Sequence, residues 1–264
     1  MHQKSGQVFV ALGGNFLQAA PDTDFTAAAL ENCRLTTHIA TKLNRSHLHT
    51  GRIGLILPCL GRSEHDEQKS GPQFVTCENS MGVVQRSRGN LDPASPALRS
   101  ETYIISRLAE ATLGKQTAVE WQRFRENYDE IRNTIERVVP GFESYNERAR
   151  EDGGFYLPNA AKERRWDTPD GRASFSAAPF DQFEVPKGHL ILQTLRSHDQ
   201  FNTTVYGLND RYRGVGLGRR VLFMSPDDMK ERGIAPVALV DITSHWQEQK
   251  RTLRSFYAIP YEIP

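Results

Sequence analysis

One stretch, Thr194 to Gly214 (TLRSHDQFNTTVYGLNDRYRG), constrains this chain of 264 residues more than any other. It follows an apolar run, His189 to Gln193, which reads as a strand. Just beyond that run, the nine residues 196–204 include Arg196, Ser197, His198, Gln200, Asn202, Thr203 and Thr204, seven polar donors and acceptors besides Asp199. An arginine offers a planar fork of N–H groups, and the short polar side chains add hydrogen bonds of either sense. A strand that spills into such a loop is suited to a large, polar, phosphate-bearing ligand. A single Arg-Ser-His triplet reads as an ordinary surface loop; this density reads as a binding loop.

The same pattern recurs near the start. Gln7 to Leu12 (QVFVAL) reads as a short buried strand that ends at Gly13-Gly14-Asn15, and Thr26 to Cys33 is helix-prone. Strand, glycine turn, helix is how a nucleotide-binding βα unit opens, although a full G-x-G-x-x-G is not present. Leu35 to Thr41 alternates as a second strand and runs into Lys42, Asn44, Arg45 and His47. Arg52 to Pro58 (RIGLILP) is a third, fully apolar strand. Open α/β sheets bind ligands beyond the carboxyl ends of their strands, which is where these loops lie.

Further along, Gln73 to Glu78 and Val83 to Arg88 read as strands on either side of a turn. Ser100 is placed to cap a helix that Gly114 ends. Trp121, Phe124, Tyr128, Ile131, Ile135 and Val138 recur at spacings of three and four, which predicts one amphipathic helix with a core-facing stripe. Phe142 to Asp167 turns polar and irregular, and Thr168-Pro-Asp-Gly171 is a turn before an edge strand at Arg172 to Phe175. The last third is β-rich: His189 to Leu195, Arg219 to Met224, Ala238 to Thr243 and Ser255 to Ile259. Ser225-Pro226-Asp227-Asp228 starts a short helix, with a cap, a proline at the first position and acids near the positive dipole end.

These segments carry a resemblance. LRSHDQFNTTVYGLNDRYRG followed by RRVLFMSPDD resembles the C-terminal domain of formate-dehydrogenase-like molybdopterin oxidoreductases, in the dimethyl-sulfoxide-reductase superfamily. The order KLNRSH then LILPCLGR, the Gly-Asn turn, and the Thr-x-x-Gly-basic-x-x-Phe segment at Thr168 to Phe175 fit the same family. The resemblance implies an α/β chain in two parts. Residues 1–141 are expected to be a Rossmann-like portion, 142–171 a linker, and 172–264 an incomplete double-psi β-barrel that binds the molybdopterin dinucleotide and is truncated at its C-terminus. One departure stands out: Ile234-Ala-Pro-Val-Ala-Leu239 replaces the usual Gly-Asp turn between the short helix and the next strand.

The resemblance also implies cofactors and roles. Molybdopterin guanine dinucleotide with molybdenum is expected, and a 4Fe-4S cluster only in an N-terminal region absent from this sequence. Arg196, Ser197, His198, Gln200, Asn202 and Thr203 are expected to hold one dinucleotide. Gly13, Gly14, Asn15, Lys42, Asn44, Arg45 and His47 are expected to hold the other, or its far end. His198 is the sole candidate proton shuttle. The chain is expected to be one piece of a longer enzyme, inactive alone, with the missing N-terminal part as its partner. Formate is the implied substrate.

Composition narrows the alternatives. A net charge of +1, with 25% charged residues, lacks the concentrated basic face that nucleic acid demands. The apolar runs are far short of a membrane span, and the N-terminus has no signal-peptide core. Cys33, Cys59 and Cys77 are widely spaced, with no Cys-x-x-Cys pair, as expected of free thiols in a reducing cytoplasm. His47 and His49 with Glu64-His65-Asp66-Glu67 could be drawn as a metal site, but the spacing lacks a helical His-x-x-x-His and the acidic run reads as a solvated loop. No metal ligand is assigned. A non-catalytic nucleotide-binding or subunit-contact module is the second functional reading. A hydrolase built on Cys59, Cys77 or Ser80 is the third, and no nucleophile elbow supports it.

Overall fold

The computed structural model describes residues 1–179, 184–195, 209–210, 213–216, 218–246 and 248–263. The chain forms two compact units, Met1–Ala177 and Ala178–Pro264. The described strands make several small sheets, and none of them closes.

The first unit opens with three parallel strands in sequential order: β1 (Val8–Leu12), β2 (Leu35–Ala40) and β3 (Ile53–Pro58). β1 passes to β2 through α1 (Phe16–Ala19) and α2 (Thr23–Glu31). Asp22 caps α2 by accepting from the N–H of Phe25. β2 passes to β3 through one 3₁₀ turn, Arg45–Leu48. The central strand is buried, with Thr36, Thr37, His38 and Ile39 shielded from solvent. β1 was expected to be buried, yet Val8, Val10 and Leu12 are exposed, as is the whole of β3. An outer strand is covered only by what packs on it, and apolar sequence alone does not supply that cover.

A short hairpin, β4 (Glu67–Gln68) and β5 (Gly71–Pro72), precedes an antiparallel sheet of β6 (Val75–Glu78), β7 (Val83–Ser87) and β8 (Phe155–Tyr156). α3 (Glu101–Leu113) runs from its Ser100 cap to Gly114, as the sequence predicts. The single helix expected from Trp121 to Val138 is instead two, α4 (Trp121–Glu126) and α5 (Tyr128–Val138). Asn127 adopts extended backbone between them, and its side chain caps α5 by accepting from the N–H of Asp129. An asparagine gains a cap bond outside the helix that it cannot make inside one. Val138, the last position of the predicted core stripe, is exposed.

The polar stretch after α5 is built into this unit. α6 (Tyr145–Arg148) and β8 supply Tyr145, Ala149 and Phe155 to a small core with Val84. Gly154 sits so close to β7 that a Cβ there would lie 2.0 Å from the Val84 carbonyl oxygen, so only glycine fits. Thr168 and Gly171 close the expected turn, but no strand forms at 172–175.

In the second unit, β11 (Gln249–Pro260) pairs antiparallel with β10 (Leu239–Trp246) and parallel with β9 (Val221–Met224). α7 (Pro226–Glu231) begins at the predicted cap, with Ser225 accepting from Asp228 N–H at 3.1 Å. Met224, Met229 and Ala258 form the core, joined by Leu222, Ile234 and Val240. Residues 189–195 were expected to be a strand, and no strand forms there. Leu190, Ile191, Leu192 and Leu195 are exposed, with no ladder partner among the described residues. An apolar run becomes a strand only when a neighbour takes up its backbone hydrogen bonds.

Candidate functional site

The two glycine- and asparagine-bearing loops, 30 residues apart in sequence, meet beyond the carboxyl ends of β1 and β2. Gly13 and Gly14 both take left-handed backbone, with φ of 63° and 69°. Nothing lies within 4 Å of a Cβ built on Gly14, so glycine is required there by conformation and not by crowding. Gly13 N–H donates to the Ile39 carbonyl at 2.8 Å, which ties the turn to the end of β2.

Asn15 caps α1, accepting from Gln18 N–H at 3.3 Å. Asn44 caps the 3₁₀ turn, accepting from Ser46 N–H at 2.9 Å, and its amide donates to the Gly14 carbonyl at 2.8 Å. Ser46 completes the clasp. Its hydroxyl donates to Asn15 Oδ1 at 3.1 Å and accepts from Leu17 N–H at 3.0 Å. Arg45 donates to Gln18 Oε1 at 3.3 Å across the same junction. Thus Asn15 and Asn44, read from sequence as ligand contacts, use side-chain atoms to lock the loops together, and His47, read the same way, bonds to Asn44 within its own loop. Lys42 and Arg45 remain exposed beside the turn.

Two histidines sit beneath the clasp. His47 is buried, and its Nδ1 lies 3.1 Å from the backbone nitrogen of Asn44 and 3.2 Å from the Asn44 Oδ1. His38, on β2, is buried with its ring centroid 4.7 Å from that of His47. Burial, and secondarily the neighbouring His47, hold His38 below the usual imidazole range. The Nε2 atoms of both rings are buried and without a hydrogen-bond partner. Such orphaned atoms are costly and few in a folded protein. His38 and Ser46 are the residues that the sequence reading missed. Ser46 lies within the loop already singled out, whereas His38 is hidden in a strand as one polar residue among alternating ones.

Chemically, the junction offers a left-handed glycine turn, two exposed cations and buried imidazoles with unused capacity. That donor set fits a phosphate-bearing ligand with a polar ring. It contains no nucleophile–base pair. Arg196, Ser197, His198, Gln200, Asn202 and Thr203 lie outside the described residues.

Other groups of interest are paired. His49 Nδ1 lies 2.9 Å from Glu31 Oε1, and Glu64 accepts from the backbone N–H groups of Gly61 and Ala94. Among the described residues, no three His, Cys, Asp or Glu side chains converge as a metal site would require. Cys33 and Cys59 are buried free thiols and Cys77 is exposed; burial pushes the Cys59 thiol up to about 11. Among the described residues, no helix is long and apolar enough to cross a membrane.

Comparison with known proteins adds to this geometry. Residues 190–261 match the Molydopterin dinucleotide binding domain, a span that includes the polar loop after His189. Over 97% of its length the chain is 47% identical to uncharacterized oxidoreductases of Mycobacterium tuberculosis and Mycobacterium bovis, covering 34% of each. It is 46% identical to Protein YdeP of Escherichia coli over 94% of its length, covering 33% of that protein. The chain therefore spans about a third of the length of the curated relatives it matches. The chain thus carries a match to the Molydopterin dinucleotide binding domain, and along nearly all of its length it is similar to about a third of proteins named as uncharacterized oxidoreductases.

Proposed function

We propose that the chain is the C-terminal, cofactor-gripping portion of a formate-dehydrogenase-like enzyme that uses bis-molybdopterin guanine dinucleotide. In this reading residues 1–141 are a Rossmann-like portion, joined through 142–171 to a double-psi β-barrel over 172–264. The cofactor, when bound, supplies the redox chemistry through its molybdenum, and the protein binds and orients it. Arg196 and the polar groups Ser197, His198, Gln200, Asn202 and Thr203 hold one dinucleotide by charge-assisted hydrogen bonds to its phosphates and ring edges. Gly13, Gly14, Lys42 and Arg45 face the second dinucleotide, and Asn15, Asn44 and His47 fix the loops that present them. The iron-sulfur cluster belongs to another portion of the enzyme, which works in the cytoplasm with formate as substrate.

One observation carries this reading: the domain match over 190–261 covers the loop whose composition alone pointed to a phosphate-bearing ligand. Calorimetric titration of the chain with guanosine diphosphate and with cytidine diphosphate tests it. Guanosine diphosphate is expected to bind, with about tenfold weaker binding in Arg196→Ala, the loss of one charge-assisted contact. Preference for cytidine diphosphate would replace the guanine form by the cytosine form. Binding of neither would remove the dinucleotide reading.

A further inference from the structure

The three-stranded parallel sheet presents an apolar face on which Thr37 and Ile39 of the central strand are buried while the side chains of both outer strands are left exposed. The register places Val8, Leu35 and Ile53 in one row, Val10, Thr37 and Leu55 in the next, and Leu12, Ile39 and Leu57 in the third. Side chains two apart on a strand share a face, so these three rows form one surface. It carries no charge, and its only polar member is Thr37. The six positions on the two outer strands are 37% to 59% exposed.

The connections pack on the opposite face. Phe16 of α1 stacks on Phe9, with centroids 5.0 Å apart, and His47 of the 3₁₀ turn stacks on His38. Phe9 and His38 alternate with Val8, Val10, Thr37 and Ile39, and so point the other way. Parallel sheets are found almost only with both faces covered, and helices supply the cover. Contiguous exposed apolar patches mark interaction surfaces.

We propose that this face seats an apolar helical surface from the remainder of the enzyme, the part of its relatives' length that this chain does not span. The proposal rests on the reading of the chain as one portion of a molybdopterin oxidoreductase. Length argues for this occupant: the chain matches only 34% of the Mycobacterium tuberculosis relative, which leaves ample polypeptide to supply helices. A helix-bearing partner within the same polypeptide also meets the parallel sheet in the way such sheets are usually covered.

Carbene footprinting of two species tests the assignment. One is the 264-residue chain alone, and the other is the Mycobacterium tuberculosis relative with its matching third replaced by this chain. Strong labelling at Val8, Val10, Leu55 and Leu57 is expected in the first and its loss in the second. The double substitution Val10→Asp with Leu55→Asp should leave the circular dichroism of the isolated chain unchanged, because both positions are exposed. In the grafted enzyme it should lower the melting temperature, whereas Leu91→Asp, at an exposed apolar position off this face, should not. Equal labelling in both species, or equal effects of the two variants, would overturn the proposal. So would protection in the isolated chain, accompanied by a dimer in light scattering that the double substitution dissolves. Failure to bind guanosine diphosphate with this protection intact would count against the cofactor reading and leave the interface standing.

Discussion

The side-chain amide of Asn44 donates to the backbone carbonyl of Gly14 at 2.8 Å, joining two loops that sequence alone presents as separate. The same side chain caps the 3₁₀ turn through Ser46 N–H. Asn44→Ala removes both bonds and is expected to destabilise the first unit by about 1–2 kcal/mol in urea unfolding. Asn44→Asp keeps the cap acceptor and loses only the amide donor, so it should fall between wild type and alanine. An alanine variant as stable as wild type would mean that the clasp contributes nothing.

His38 gives the first unit an acid-sensitive side. Its folded pKa lies below the ordinary imidazole value of 6.5, so the unfolded chain binds the proton more readily. Stability is therefore complete above that value and falls as pH drops below it toward the folded pKa. Thermal melts from pH 8 to pH 5 should show this decline, and His38→Gln should flatten it. An unchanged slope in the variant would assign the decline to other groups.

Tyr128 supplies the alkaline counterpart. Its hydroxyl donates to Asp66 Oδ2 at 2.6 Å and lies 2.6 Å from Ser100 Oγ. Burial first, and then the Asp66 carboxylate, push its pKa well above the usual tyrosine value of 10. Its contribution to stability is present below that value and is lost as pH rises through it toward the folded pKa. Ultraviolet titration should show one tyrosine resisting ionisation until the protein unfolds, and Tyr128→Phe should remove it. The same substitution is expected to cost about 1–3 kcal/mol by leaving Asp66 short of a donor.

Val237 occupies the third position of a turn closed by Ala238 N–H donating to the Ala235 carbonyl at 3.1 Å, with Pro236 at the second. Its φ of +64° is a left-handed conformation that strains a β-branched residue and suits glycine. The Ile234 to Leu239 segment therefore turns here at a conformational cost. Val237→Gly should raise the stability of the second unit by about 1 kcal/mol, read by thermal melting. A loss of stability would show that the valine side chain contributes more by packing than the strain costs.

Most local features were legible because they depend on residues three or four apart. Ser100, Ser225 and Gly114 bound their helices where the capping rules put them, and β2 and β3 lie within a residue of their expected starts. Asn127 obeyed the same capping chemistry, but the three-and-four spacing of Trp121 to Val138 ran across it and hid the break. The density of polar groups after His189 was also plain, and the domain match falls on it.

The chain's own residues thus determined where helices begin, where the backbone turns left-handed, and that the loops beyond β1 and β2 are rich in anion-binding groups. Tertiary structure alone decided that Ser46 would bridge Asn15 and Leu17, that His38 would stack on His47, and that β1 and β3 would leave an apolar face bare. Caps and turns are settled by bonds within a few residues. Burial and orphaned polar atoms depend on which distant segments pack together, and short-range pattern carries no record of that.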